Sequence, residues 1–246
     1  MLKKGLGILL IFLSFFAHAQ KNENIFLNRD ATINYQSEVD TSEIMHTSVK
    51  PFLKREFKSN SNTGVQLKTG NYLSILPIIN LTSGMDFYRG KYAGFEGAGA
   101  NIYFEPHQKI GFNFQYNYLQ TGGLNYIDNL NDSLNVISGF SKSFGRSNRY
   151  FSNQLKGYLS YSPSQIFNLQ LGVGQHFLGD GYRSLLLSDN ASPMPYFKIT
   201  TDVWRVKYIN LFAMQKDIRG LYQYDKKFTA SHYLDWSISP PINLSL

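Results

Sequence analysis

Cysteine is absent from the 246-residue chain. That removes disulfide scaffolds, thiolate zinc sites, thiol nucleophiles and lipid-anchored cysteines in one step. Charge is sparse too: Asp, Glu, Lys and Arg make up 17% of the residues, against about 25% in an ordinary soluble domain. Lys and Arg number 24 against 17 acids, a formal net charge of +7. They form no cluster of the kind that binds nucleic acid, which excludes that partner. Tryptophan occurs only twice. Long apolar runs are missing beyond the first residues, so nothing later suits a transmembrane helix. What the chain has instead is rings: 19 Phe and 17 Tyr, at a mean hydropathy of −0.26. Rings interleaved with polar residues describe neither a disordered chain nor a typical cytosolic enzyme. The length allows one or two domains with a sizeable core.

Met1-Leu2-Lys3-Lys4 is a short basic start, Gly5–Phe16 an apolar run of about 12 residues, and Ala17-His18-Ala19 a small-residue cleavage site. A bilayer span needs roughly 20 apolar residues, so residues 1–19 read as a secretory signal peptide with Gln20 as the mature N-terminus. Residues 20–69 are polar and mixed, and are expected to form a short, partly helical periplasmic or plug segment. Asp40 or Thr41 can cap a helix running to His46, which Lys50-Pro51 would close.

From Tyr72 onward the period changes to two. Ile110, Phe112, Phe114, Tyr116 and Tyr118 share one face, while Gly111, Asn113, Gln115 and Asn117 take the other. Phe167, Leu169, Leu171 and Val173 repeat the arrangement, as do Phe228, Ala230, Leu234, Trp236 and Ile238. Such alternation predicts strands with one apolar and one polar face. Phe104–Ile110, Tyr161–Ile166 and Ile238–Ile242 each place proline between two strands, which predicts tight connections. Residues 120–150 and 177–196 are much longer links rich in Asn, Asp, Ser and Gly.

The fold class expected is all-β, an antiparallel transmembrane β-barrel over residues 70–246, following the N-terminal segment. Strands of about ten residues with short turns at one end and long loops at the other suit an outer membrane. Tyr103, Phe104, Tyr116, Tyr118, Tyr158, Tyr161, Tyr208 and Trp236 stand where interfacial girdles belong. A soluble β-sandwich also alternates, but small polar residues on the second face, unequal loops and an export signal favour the barrel. For the three proline turns to share one end, Phe197–Met214 must be two strands, broken near Thr200-Thr201-Asp202; the slip there could equally be a bulge. Ile242–Leu246 begins a strand and stops, so the barrel is expected to be incomplete, continuing beyond Leu246.

The densest motif is Gly174–Pro195. Phe177, Gly179-Asp180-Gly181, Ser184-Leu185-Leu186-Leu187-Ser188-Asp189-Asn190-Ala191 and Pro193 or Pro195 follow the order of a signature in the Wzi capsule-assembly family of outer-membrane proteins. Gly94–Ile102 and Tyr196–Met214 also resemble that family's Bacteroidota branch, a broad set that includes gliding-motility surface proteins. The resemblance spans about residues 70–246, but only this motif is specific. It implies a larger, non-enzymatic, lectin-like barrel that holds capsular polysaccharide at the cell surface.

Polysaccharide-binding candidates are therefore Asp180, Asp189 and Asn190 as acceptors, Arg183 as a donor fork for acidic sugars, and Tyr182 as a ring face. The same residues have a structural reading: a glycine turn, a loop capped by Asp189 and Asn190, and an Arg183–Asp180 pair. Catalysis is not expected. Asp180 and Asp189 do not define a glycosidase pair, no nucleophile elbow accompanies His176 or His232, and the scattered mature histidines define no metal site. Neither metal nor cofactor is called for. Expected partners are outer-membrane lipid, surface polysaccharide and other cell-envelope proteins. The alternatives are a motility or adhesion component and a diffusion porin.

Overall fold

The two-residue period becomes one antiparallel sheet of 11 strands. The computed structural model describes residues 22–24, 46–53, 64–66, 72–87, 90–122, 125–146, 149–181, 184–220, 223–239 and 242–246. Along the chain lie β1 (Val49–Lys50), β2 (Gly64–Gln66), β3 (Tyr72–Asp86), β4 (Lys91–His107), β5 (Ile110–Gly122) and helix α1 (Asn125–Leu134). Then follow β6 (Ser143–Arg146), β7 (Arg149–Tyr161), β8 (Phe167–Gly174), β9 (Phe177–Leu178), β10 (Met194–Val203), β11 (Val206–Gly220), β12 (Gln223–Ser239) and β13 (Ile242–Ser245). The sheet order is β13-β12-β11-β10-β8-β7-β5-β4-β3-β2, with β6 paired to β7, and β1 pairs with β9 in a separate ribbon. Sequence neighbours are thus spatial neighbours, as hairpin connections require.

The break expected near Thr200–Asp202 falls slightly later. β10 continues to Val203 and the chain reverses through Trp204-Arg205. Trp204 takes φ 56°, the positive value that lets a two-residue hairpin follow the twist of its strands. Glycine or asparagine usually marks such a position, so a tryptophan gave no turn signal. Here Arg205 donates to the Ile238 carbonyl at 2.6 Å, and its guanidinium lies 5.5 Å from the Trp204 ring. With this reversal, the connections after β4, β7, β10 and β12 all fall at one end of the sheet. The long ones, after β5 and β8, lie at the other.

The stretch expected to be an open loop over 120–150 contains α1 and β6, and both flanking strands extend into it. Its polar composition hid a buried edge. Ile127, Asp128 and Asn131 are buried, and Asn131 donates to the Ile127 carbonyl at 2.8 Å. Ile137, Leu119 and Tyr150 form a small core beside it. The helix expected at Asp40–His46 lies outside the described residues apart from His46. The residues that follow form a turn and β1.

Burial on the two sheet faces is inverted relative to a soluble sheet. Ile75, Phe112, Phe114, Leu155, Leu171 and Trp236 are exposed on the open face, Ile79 at 72% and Leu81 and Phe228 at 76%. The opposite face is buried and carries Ser74, Asn101, Asn117, Gln154, Ser160, Asn168, Gln170, Lys198 and Asp235. It is covered by the N-terminal segment. Asn22 is a hub: its amide donates to the Gln108 carbonyl at 3.0 Å, and its Oδ1 accepts from Ser160 at 3.1 Å and Ser162 at 2.8 Å. Asn24 and Gln170 exchange amide hydrogen bonds at 3.4 and 3.0 Å, and the Asn24 N–H donates to the Tyr158 hydroxyl at 2.6 Å. His46 Nδ1 meets Asp235 at 3.0 Å, and Ser245 donates to the same carboxylate at 2.9 Å. An apolar cluster of Val49, Leu178, Met194, Tyr196, Ile209, Leu211, Ala213 and Tyr233 joins β1 and β9 to this face.

Two residues expected in the girdle belong here instead. Tyr103 is 0% exposed and donates to Glu105 at 2.6 Å, while Tyr158 accepts from Asn24. Period two decides it: both fall on the parity of the polar face.

Gly111 lies where the sheet meets Asn22. An added Cβ would stand 2.6 Å from the Tyr103 hydroxyl and 2.7 Å from Asn22 Cβ. Gly111→Ala is therefore expected to lose about 1–3 kcal/mol and to loosen the N-terminal segment. Urea titration should show a lower midpoint, with protease cutting the segment sooner. Unchanged cleavage would mean that Asn22 does not dock there.

Candidate functional site

The Gly174–Pro195 motif folds over the polar face rather than away from it. β8 ends at Gly174, Gln175 and His176 turn the chain, and β9 pairs with β1 through Val49↔Leu178 and Lys50↔Phe177. Gly179 takes φ 126°, accessible to glycine at no steric cost. Its N–H donates to the Ser48 carbonyl at 2.7 Å. Ser184 closes the loop by donating to the Leu178 carbonyl and accepting from the Leu186 N–H at 3.1 Å. Leu187 packs on the apolar cluster, whereas Leu185 and Leu186 stand out at 106% and 70% exposure.

Gln175 holds the far side of the loop. Its amide donates to the carbonyls of Gly139 at 2.8 Å, Asp189 at 2.7 Å and Ala191 at 2.7 Å. Its Oε1 accepts from the Lys156 ammonium at 2.6 Å. One side chain thus ties β7, the α1–β6 connection and the motif together.

Of the motif's candidate residues, Asp180 is exposed with its carboxylate 4.0 Å from Lys50 Nζ. Asp189 and Asn190 are exposed at the turn, where Asn190 Oδ1 accepts from Ser138 at 3.0 Å and Ser188 donates to Asp189 at 3.1 Å. Tyr182 and Arg183 lie outside the described residues, and with them any Arg183–Asp180 pair. Lys50 is the cation that sequence reasoning missed. Its ammonium sits 4.8 Å from the Phe177 ring centroid. Partial burial lowers its pKa, opposed by the charges of Asp180 and Asp189.

Beneath the loop lies a cavity of about 70 Å³ lined by Asn24, Asn101, Asn113, Gln115, Lys156, Tyr158, Gln175, His176 and Tyr196, among others. Amide walls offer donors and acceptors together, Lys156 adds a cation, and the two tyrosines add ring faces. Asn113 and Gln115 were already legible as polar-face residues. The alternation Tyr150, Ser152, Gln154, Lys156, Tyr158, Ser160 carries the same signal for β7. His176 packs edge-on to Tyr196 at 4.2 Å, and its Nε2 has no partner among the described residues. Burial first, then the nearby Lys198 charge, holds its imidazole well below the ordinary histidine range, so it is neutral.

The other described histidines lie apart. His46 faces Asp235, His107 accepts from the Lys109 N–H in a turn at 3.2 Å, and His232 meets Asn210 at 2.7 Å on the open face. Among the described residues no group of His, Asp and Glu could hold a metal ion. No protein-family model, curated protein or solved structure matches the chain.

Two measurements follow from this geometry. Gln175→Ala strips the loop of its amide contacts to the Asp189 and Ala191 carbonyls and is expected to cost about 1–3 kcal/mol, with faster proteolysis within 179–193; Asp189→Ala, at an exposed carboxylate, should leave both nearly unchanged. His176 has a depressed folded-state pKa, so the unfolded chain takes up the proton first. Stability is therefore lost as pH falls through about 6.5, with a limiting slope of about 1.4 kcal/mol per pH unit. Urea midpoints followed from neutral to acidic pH should show this loss in the wild type and a smaller one in His176→Phe. Equal losses would mean that the group is not buried neutral.

Proposed function

We propose that the chain forms the wall of an outer-membrane β-barrel, with the open face toward lipid, and that it attaches acidic surface polysaccharide. The carrying observation is the inversion of burial: apolar side chains exposed along strand after strand, with amides, serines and Lys198 buried behind them. Burying one Leu, Ile or Phe side chain is worth about 1.5–3 kcal/mol. Leaving these rows in water would forgo on the order of tens of kcal/mol, more than a domain's whole stability of about 5–15 kcal/mol. Hydrocarbon removes that loss: β4, β5, β7, β8, β10 and β11 are paired on both sides, and the outer edges of β3 and β12, which β2 and β13 cover only in part among the described residues, would pair on closure of the barrel. The short-turn and long-loop ends suit a periplasmic and an extracellular side respectively.

Three features support attachment over free diffusion. The polar face is filled by the N-terminal segment and by the Gly174–Pro195 loop rather than left as an open channel wall. The cavity beneath that loop is lined by amides, tyrosines and Lys156, suited to a hydroxylated, acidic ligand. The motif itself resembles that of the Wzi capsule-assembly family. A motility or adhesion role finds one observation in its favour, the exposed Leu185-Leu186 pair, which offers an apolar contact for another envelope protein.

Replacing Asp180 with Asn and Arg183 with Gln, or Lys156 with Gln, separates these readings. A lost charge-assisted contact costs about 1.5–3 kcal/mol, so affinity of the purified protein for acidic polysaccharide should fall roughly 10-fold or more. Cells should then shed polysaccharide while the protein's outer-membrane level stays constant. Unchanged retention, with high bilayer conductance that these changes alter, would favour a porin. Unchanged retention with lost cell spreading after Leu185→Ser and Leu186→Ser would favour motility.

A further inference from the structure

The ladders pair cations with cations at the long-loop end. Lys216 stands directly opposite Lys226 in the β11–β12 hairpin, and both are exposed. Directly opposed like charges destabilise a sheet. A second instance stands at the same end: Arg146 and Arg149 occupy opposed positions of the β6–β7 ladder. Neither Lys216 nor Lys226 makes an ion pair among the described residues. By parity the lysines share the open face with Phe212 and Phe228, which precede them along the hairpin. Asp217, Asp225 and Lys227 fall on the other face. Glu96, an acid on the open face, is on β4, several strands away in the sheet order.

Height places the pair. Below it on the same face come Met214 and Phe228, Phe212 and Ala230, Asn210 and His232, Tyr208 and Leu234, and finally Val206 and Trp236 at the short-turn end. From Val206 to Lys216 the strand runs about 33 Å at roughly 3.3 Å per residue. At a barrel tilt of about 35–45° that is a height of about 25 Å, the thickness of the apolar band of an outer-membrane barrel. The cations therefore stand where hydrocarbon gives way to headgroups, above a belt with aromatic rings at both ends.

Resting on the membrane reading above, we propose that Lys216 and Lys226 together bind the phosphate of an anionic lipid headgroup in the leaflet nearest the long loops. One phosphate between two ammonium groups converts their repulsion into two charge-assisted hydrogen bonds. Lysine stems lie along the apolar surface while their heads reach the interface, as amphipathic side chains do at membrane boundaries.

The test uses the full mature chain in vesicles of phosphatidylcholine alone or with added phosphatidylglycerol, comparing wild type, K216Q/K226Q and K227Q. Wild type and K227Q are expected to gain about 2–4 °C in thermal midpoint from the anionic lipid. K216Q/K226Q should gain nothing, and in pure phosphatidylcholine should melt no lower than wild type, because its change relieves a repulsion. An equal gain in K216Q/K226Q overturns the inference, as does an equal gain when inorganic phosphate is added to phosphatidylcholine vesicles, since that would be a free-anion site. Insertion of wild type without any lipid-dependent gain overturns this inference alone. Recovery of wild type outside the vesicles overturns the membrane reading, and this inference with it.

Discussion

Everything in this chain depends on the polar face of the sheet being covered by polar partners from the chain itself. A sheet with Asn101, Asn117, Gln154, Asn168 and Gln170 on its buried side cannot be closed by an ordinary apolar layer, because a buried amide without a partner costs about 1–3 kcal/mol. The N-terminal segment meets Asn168 and Gln170 with side chains of the same kind, while Asn101 accepts from Asn113 and Gln154 joins Asn117 to the Gly139 and Phe140 carbonyls. Asn22 gathers Ser160, Ser162 and the Gln108 carbonyl, and Asn24 matches Gln170 amide to amide. With that face largely committed to polar pairing, most of the large apolar side chains of the sheet stand on the other.

The Gly174–Pro195 loop extends the same logic. It contributes an apolar strip, through Leu178 and Leu187, where the sheet itself turns apolar at Ile209, Leu211 and Ala213. Where the sheet is polar, the loop contributes Gln175 and its carbonyl partners. Matching polarity on both layers places the loop over the polar face rather than away from it. The exposed acid Asp180 then stands 4.0 Å from Lys50, which the N-terminal segment supplies.

Much of the architecture was legible because it rests on period two. The faces of Phe112-Phe114-Tyr116, Phe167-Leu171 and Phe228-Trp236 are as the alternation required, and β8 runs over Phe167–Gly174 as read. The strand break was legible only as a parity requirement. Trp204 holds a positive φ without the glycine or asparagine that announces one, and Arg205 beside it is anchored on the Ile238 carbonyl of another hairpin strand, which no local signal shows. α1 escaped notice because its buried edge includes Asp128 and Asn131, and Asn131 finds its partner outside the helix by accepting from Ser143 of β6. The candidate site was partly legible. Asp180, Asp189 and Asn190 lie in one loop, but Lys50 is more than a hundred residues away in sequence. Its approach depends on the β1–β9 pairing, which two-residue strands cannot advertise.

The absence of cysteine makes the membrane reading directly measurable. Single cysteines placed at Ile79, Phe114, Leu155 and Leu171 on the open face, and at Asn113, Gln154 and Gln170 on the covered face, can each carry a fluorophore in the vesicle-inserted protein. Lipids bearing a nitroxide in the acyl chain should quench the first group strongly and leave the second bright, with open-face quenching strongest at mid-height. Equal quenching of both groups, or labels on the open face that respond to aqueous quenchers alone, would contradict a sheet whose apolar face is turned to hydrocarbon.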